Sequence, residues 1–160
     1  MALHIYTDGG CSGNPGPGGW AYVILKVEPR GDTILAEESG FEEDTTNNRM
    51  ELLGVISALK ALKSLDASGA VVHTDSQYVQ KGITGWIHSW KKNSWRTGDK
   101  RPVKNQDLWK ALDLLAGELT LDWKWVRGHE GNRYNELCDK MARNMIKRSA
   151  APGPRSAGPA

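Results

Sequence analysis

Asp8, Glu51, Asp75 and Asp139 are the acids of this 160-residue chain whose neighbours point to chemistry rather than to solubility. Asp8 closes the alternating run His4-Ile5-Tyr6-Thr7-Asp8 and opens a glycine-rich stretch over residues 9–19. Glu51 lies in Thr45-Thr46-Asn47-Asn48-Arg49-Met50-Glu51-Leu52, where a helical pattern begins. Asp75 ends the run Val71-Val72-His73-Thr74-Asp75 and stands before Ser76-Gln77-Tyr78. Asp139 follows Gly128-His129-Glu130-Gly131 on a helical pattern that contains Asn135-Glu136-Leu137-Cys138. Singly, each acid has a structural explanation. Glu51 can complete a capping box begun by Asn48, and Asp75 can cap the helix after it. Asp139 can pair with Arg143 one turn on, and Asp8 can stabilise the glycine turn. Brought together, carboxylates repel and raise one another's pKa unless divalent cations neutralise them. Ligation by oxygen alone favours Mg²⁺ or Mn²⁺ over zinc. Two such ions about 4 Å apart can hold both the attacking water and the leaving oxygen of a phosphodiester.

The acids need elements to carry them. Residues 3–8 alternate apolar and polar side chains, and residues 20–27 are a β-branched and aromatic run. Residues 33–41 form a third, weaker candidate strand, interrupted by Glu37, Glu38 and Gly40. Short links rich in Gly and Pro suit an antiparallel meander. Then the period changes, and Leu52, Val55, Ile56, Leu59 and Leu62 recur at helical spacing. Residues 70–74 read as a short strand followed by a helix from about Ser76. A further helix is predicted over 105–117, with Leu108, Trp109, Leu112 and Leu115 on its buried stripe. Residues 119–126 alternate again, placing Leu121, Trp123 and Trp125 on one face. The last helix carries Tyr134, Leu137, Cys138, Met141 and Met145 on one stripe. A meander followed by strand-helix-strand units implies an α/β fold, a mixed sheet covered by helices with right-handed crossovers.

Length allows one domain with a real core. That domain is expected over residues 1–148, and the Ala/Pro/Gly/Ser tail over 149–160 is expected to be disordered. No signal peptide is expected, because the first residues already read as a strand, and no apolar run reaches membrane-spanning length. Cys11 and Cys138 have no metal-binding or redox spacing, so a reduced cytoplasmic protein is the plain reading. Formal net charge is +2, but it is unevenly spread. Residues 86–104 contain Lys91, Lys92, Arg96, Lys100, Arg101 and Lys104 against Asp99 alone, and the rest of the chain is net acidic. A basic patch of this kind points to a polyanionic partner.

In order and in flanking residues these segments resemble ribonuclease H of type 1, the bacterial ribonuclease HI group, from about residue 3 to about residue 148. The resemblance implies a ribonuclease H-like fold, a five-stranded mixed sheet flanked by helices. In that fold the end of the first strand lies beside the end of the fourth, so Asp8 faces Asp75. Glu51 reaches the same place from one helix and Asp139 from the last. The resemblance also implies two Mg²⁺ ions, which Mn²⁺ can replace. Asp8 bridges both, with Asp139 on one side and Glu51 with Asp75 on the other. The implied reaction is endonucleolytic hydrolysis of the RNA strand of an RNA-DNA hybrid, leaving 5′-phosphate and 3′-hydroxyl ends. His129 is implied to transfer protons or assist product release, and Glu130 beside it favours its protonated form.

Substrate contacts follow the same resemblance. The glycine run is no P-loop, since no Gly-Lys-Ser/Thr follows. Small residues there let a nucleic-acid backbone approach, with Cys11 and Asn14 near the sugars. Asn14, Asn47, Asn48 and Gln77 match positions that read 2′-hydroxyls in the wide, shallow minor groove. Asn47 and Asn48 also suit a helix cap. Thr46 and Asn105 match a phosphate pocket, weakened here by Asp44 where a basic residue would help. Trp86, Trp90 and Trp95, interleaved with Lys91, Lys92 and Arg96, match a basic protrusion that holds the DNA strand. The alternatives are a DNA nuclease on the same fold, such as a resolvase or integrase core, and a hybrid-binding module without catalysis. Neither a membrane nor a protein partner is expected, and a monomer is.

Overall fold

The computed structural model describes residues 2–126 and 132–150. His129, Glu130 and residues 151–160 lie outside the described residues. Five strands, β1 (Ala2–Cys11), β2 (Gly16–Glu28), β3 (Gly31–Thr45), β4 (Gly69–Thr74) and β5 (Thr120–Trp125), form one sheet in the order β3-β2-β1-β4-β5. The β3-β2-β1 half is the antiparallel meander, and β1-β4-β5 is parallel. The helices are α1 (Asn47–Ser64), α2 (Gln77–Lys81), α3 (Ile87–Lys92), α4 (Gln106–Gly117) and α5 (Arg133–Ala150). The mixed five-stranded α/β sheet expected from the sequence is therefore the one observed. Among the described residues, no helix is long and apolar enough to cross a membrane.

Strand β2 shows why the sequence chose this layering. Its residues alternate between two cores: Tyr22 and Ile24 pack with Ile5, Leu52, Leu59, Trp109 and Leu112, while Ala21, Val23 and Leu25 pack with Cys138 and Ala142. A strand buried on both faces must be apolar throughout, as residues 21–25 are. Helices α1 and α4 cover the first face and α5 covers the second. The seam between β1 and β4 is closed on the α5 side by histidines. His4 Nδ1 and His73 Nε2 stand 2.8 Å apart, and Tyr6 stacks on His73 at 4.2 Å. Burial, with His4 and Lys124, holds His73 down to about 4.

Three local expectations need correction. Asp8 does not close β1, because the ladder with β2 continues to Cys11 opposite Gly18. Parallel pairing with β4, by contrast, covers only His4 to Tyr6, so Asp8 lies beyond the last β4 partner. Neither Asn47 nor Asn48 caps α1, since the cap is Thr46, whose Oγ1 accepts the Arg49 N–H at 3.3 Å. The helix after Ser76 is not continuous. A π-helical segment over Gly82–Trp86 separates α2 from α3. It sits where the Trp109 ring fills the space a Cβ at residue 82 would need, so only glycine admits the ring.

Candidate active site

One end of the sheet gathers the acids. Ligand oxygens of Asp8, Glu51 and Asp75 all lie within 4.8 Å of one another. The helix comes this close because of Gly9, where any Cβ would run into the backbone of Met50 and Glu51. Glycine next to Asp8 thus lets α1 settle on β1 and delivers Glu51. That is an internal reason for part of the glycine run, distinct from the open approach expected of it. Asp75 sits in a tight passage from β4 to α2. The Ser76 N–H donates to Thr74 Oγ1 at 3.0 Å, and Ser76 Oγ caps α2 by accepting the Val79 N–H at 3.1 Å. The Trp125 indole N–H donates to the Asp75 carbonyl at 3.3 Å. The cap on α2 is Ser76, so Asp75 is left to the cluster.

Asp139 stands slightly apart. Its helix is tied to β1 by the Cys138 thiol, which donates to the Tyr6 carbonyl at 3.3 Å. Asp139 lies against Asp8, yet it also pairs with Arg143 at 2.9 Å. The pairing with Arg143 offered by the sequence is therefore realised, with Asp139 also close to Asp8. The capping-box explanation of Glu51 is not, since Thr46 caps the helix and Glu51 turns to the acids.

Burial and mutual repulsion set the electrostatics of the cluster. Asp8 is pushed up to about 8, first by burial and then by Asp75 and Asp139, against which the Gly9 N–H works. Burial, then Asp8 and Asp75, also raises Glu51 well above the usual carboxylate range. Glu51 Oε2 is sealed from solvent and, among the described residues, has no hydrogen-bond partner. A buried charged oxygen without a partner costs several kcal/mol or takes up a proton. Oxygen-only donors, mutual repulsion and one unsatisfied oxygen fit a hard divalent cation.

The other sequence-derived residues surround this centre in linked groups. Asn14 Oδ1 accepts the Asn47 N–H at 3.2 Å, joining the β1–β2 loop to the start of α1. The Cys11 thiol donates to the carbonyls of Gly16 and Thr45, each at 3.3 Å, so its role is at least partly to hold that loop. Asn48 and Gln77 are exposed, and each stands within three residues of an acid in the chain. Asn105 adopts a left-handed conformation (φ 59°) ahead of α4, and its Nδ2 donates to the Tyr78 hydroxyl at 3.1 Å.

Sequence reasoning missed Arg49. Its Nη1 donates to Asn105 Oδ1 at 3.2 Å, and its guanidinium forks onto Asp107, Nη2 to Oδ2 at 2.8 Å. A cation is therefore built in beside Thr46 and Asn105 although Asp44 is acidic. Arg49 lies inside the Thr45–Leu52 segment that drew attention to Glu51, but nothing in that segment names its partners Asn105 and Asp107.

In residues 86–104, Trp90 packs edge-on against Trp109 (5.3 Å between centroids) and touches both Trp86 and Trp95. Trp90 and Trp95 are partly core, packed against the buried cluster that contains Trp109. Trp86 remains 41% exposed, and Lys91, Lys92 and Arg96 are exposed. Lys91 is partly engaged by Asp113 at 3.4 Å.

Carboxylates gathered from β1, α1 and the β4–α2 passage, with oxygen as the only donor, suit a hydrolase that works with a hard divalent cation. Known proteins specify which. Residues 1–147 match the family model described as RNase H. A protein named Ribonuclease H from Treponema denticola is 51% identical over 154 residues, covering 89% of this chain and 95% of the relative. One of the same name from Phenylobacterium zucineum is 53% identical over 147 residues, covering 92% of each. Among solved structures, LC9-RNase H1, a type 1 RNase H with the type 2 active-site motif, superposes with a TM-score of 0.82 at 30% identity, covering 95% of this chain and 75% of the other. The chain belongs to the ribonuclease H family and is a hydrolytic nuclease.

Proposed function

We propose that this protein is an endoribonuclease that hydrolyses the RNA strand of RNA-DNA hybrids and leaves 5′-phosphate and 3′-hydroxyl ends. The observation that carries the reading is the convergence of Asp8, Glu51 and Asp75 within 4.8 Å, with Glu51 Oε2 buried and without a hydrogen-bond partner among the described residues. In this reading the three acids and Asp139 hold two divalent cations, Mg²⁺ by preference and Mn²⁺ as a substitute. Such ions, when bound, supply positive charge to the attacking and leaving oxygens of the phosphodiester. The remaining work belongs to the chain. Gly9 and the β4–α2 turn fix the carboxylates before substrate arrives, so little reorganisation is left for the reaction. Asn14, Asn47, Asn48 and Gln77 address 2′-hydroxyls, with Cys11 shaping the loop that presents Asn14. Thr46 and Asn105, with Arg49 between them, take a phosphate. Trp86, Trp90, Trp95, Lys91, Lys92 and Arg96 hold the DNA strand. His129 moves protons or assists release of product. Both cysteines are free, in keeping with a cytoplasmic protein, and the reading takes it as a monomer.

The test is one assay on labelled hybrid, duplex RNA, duplex DNA and DNA carrying a single ribonucleotide, each with Mg²⁺ and with chelator. Only the hybrid should be cut, only with Mg²⁺, and the products should carry 5′-phosphates. Cleavage of duplex DNA would support a resolvase-like or integrase-like nuclease instead. Hybrid bound without cleavage would leave a binding module. Efficient cutting at the lone ribonucleotide would refute recognition through several 2′-hydroxyls.

A further inference from the structure

Two of the four histidines meet at the β1–β4 seam, in parallel strands where sheet packing ordinarily calls for apolar side chains. Ile5, Val72, Leu121 and Trp123 point to the core shared with α1 and α4, so His4, His73, Asp122 and Lys124 lie on the other face of β1, β4 and β5. Along that face His4 stands in one row with Val71 and Asp122, and His73 in the next with Tyr6 and Lys124. His4 therefore reaches diagonally across the seam, and its Nδ1 comes to 2.8 Å from His73 Nε2. Tyr6 backs the His73 ring, 4.2 Å away and within 5° of parallel. The charges of Asp122 and Lys124 both reach His73, with opposite effect. His73 is buried, but His4 is only half-buried and Asp122 is exposed, so the pair is not sealed from solvent.

We propose that His4 and His73 form a second metal site, built of nitrogen donors and separate from the acids, for a dication of the Zn²⁺, Ni²⁺ or Cu²⁺ class. Imidazole suits these ions, whereas carboxylates alone suit Mg²⁺ and Mn²⁺, so the two sites sort ions by donor chemistry. Two nitrogens bound at about 2.0–2.1 Å in tetrahedral geometry stand about 3.3 Å apart. The 2.8 Å contact has to open by only about half an ångström. His4, the more exposed ring, makes that movement while Tyr6 keeps His73 in place. Without metal, one imidazole donates its N–H to the other, so only one lone pair faces inward. Binding needs two. The donor ring therefore moves its proton to its outer nitrogen, a change of tautomer that releases no proton overall. Waters complete the coordination, and Asp122 offsets part of the ion's charge from the neighbouring strand. Lys124 works against it and keeps the affinity modest. An ion held there ties β1 to β4, the strands that lead to Asp8 and Asp75, and stabilises the fold in step with its occupancy.

A hydrogen-bonded pair that is only structural would tie the strands and ignore metals. The roles separate when the whole protein, carrying no added histidines, is titrated with Zn²⁺ in a large excess of Mg²⁺, which is there to occupy the acids. Calorimetry and melting temperature follow the binding. One Zn²⁺ should bind and raise the melting temperature. His4→Gln and His73→Gln should each weaken it about tenfold or more, Asp122→Asn should weaken it less, and Lys124→Gln should tighten it. His88→Gln, His129→Gln and Asp8→Asn should leave it unchanged. Melting in chelator shows whether each variant is folded. Should a histidine variant fail to fold, Cu²⁺ bound to wild type decides, since two imidazole ligands give coupling to two nitrogens in its electron paramagnetic resonance spectrum. Zn²⁺ that binds equally well without either histidine, or that is lost in Asp8→Asn, overturns the site. So does bound Cu²⁺ without nitrogen coupling, or a wild type that takes up no Zn²⁺.

Discussion

Asp8 shows what the fold does to a single residue. It is 8% exposed, faces two other acids, and is pushed from an ordinary 3.8 to about 8. A carboxyl whose pKa is raised on folding favours the native state fully below its unfolded pKa, and that contribution is lost as pH rises through the folded value. Without metal the protein should therefore lose stability between about pH 4 and about pH 8 on account of Asp8. Asp8→Asn removes the titrating charge but keeps the shape. In chelator at pH 8 it should raise unfolding free energy by about 1–3 kcal/mol, and at pH 4 it should change little. The same substitution should remove nearly all turnover in Mg²⁺, since in the proposed centre Asp8 serves both ions. Urea unfolding at the two pH values and a hybrid-cleavage assay check both halves. Turnover above about a tenth of wild type would refute the shared-ligand role, and equal unfolding free energies at pH 8 would refute the strained carboxylate.

Elements were legible wherever side-chain periodicity alone decides them. The alternation in β1 and β5, the apolar run of β2 and the stripes of α1, α4 and α5 each predict their element, and the sheet order follows from the meander and two crossovers. Ends and caps were not legible, because a partner decides them. Strand β1 outruns Asp8 only because β2 offers Gly18 and Gly19 to pair with. The π-helical segment exists beside Trp109, which comes from a distant helix. For the same reason the acids were recognisable as a set by their flanks, while Arg49 was not. Its role depends on Asn105 and Asp107, more than fifty residues on. This tie between α1 and α4 makes a prediction. Its partners are partly exposed, so Arg49→Ala should cost at most about 1 kcal/mol, or about 2–4 °C in melting temperature. It should also raise KM for hybrid while kcat is nearly kept, because Asn105, which the proposed reading sets against a phosphate, loses the donor that orients it. A lower melting temperature with KM unchanged would reduce Arg49 to a tie between helices.

Over the whole molecule, charge is sorted between two ends of the sequence pattern. Edge strand β3 carries Asp32, Glu37, Glu38, Glu42, Glu43 and Asp44 and no Lys or Arg. Like charges along an open edge discourage pairing with another chain and turn a polyanion away. Opposite in sign, residues 86–104 form a basic surface on an aromatic base, with Trp90 set against Trp109 of the core and Lys110 Nζ placed 5.6 Å from the Trp95 ring centre. The composition disclosed that basic segment. It did not disclose that Lys91 shares its charge with Asp113 on α4. Replacing Lys91, Lys92 and Arg96 by Ala should raise KM and leave kcat nearly unchanged, the pattern expected when uniform binding is removed. Each phosphate deprived of its cation should flatten the dependence of log affinity on log salt by roughly one unit. Because Lys91 already has a partner, the slope of the triple variant should fall by roughly two units rather than three. KM and kcat on one hybrid across a range of salt concentrations decide the matter. Coincident salt slopes for wild type and variant would mean that the basic segment is a solvated helix on an aromatic foundation, with no hold on the nucleic acid.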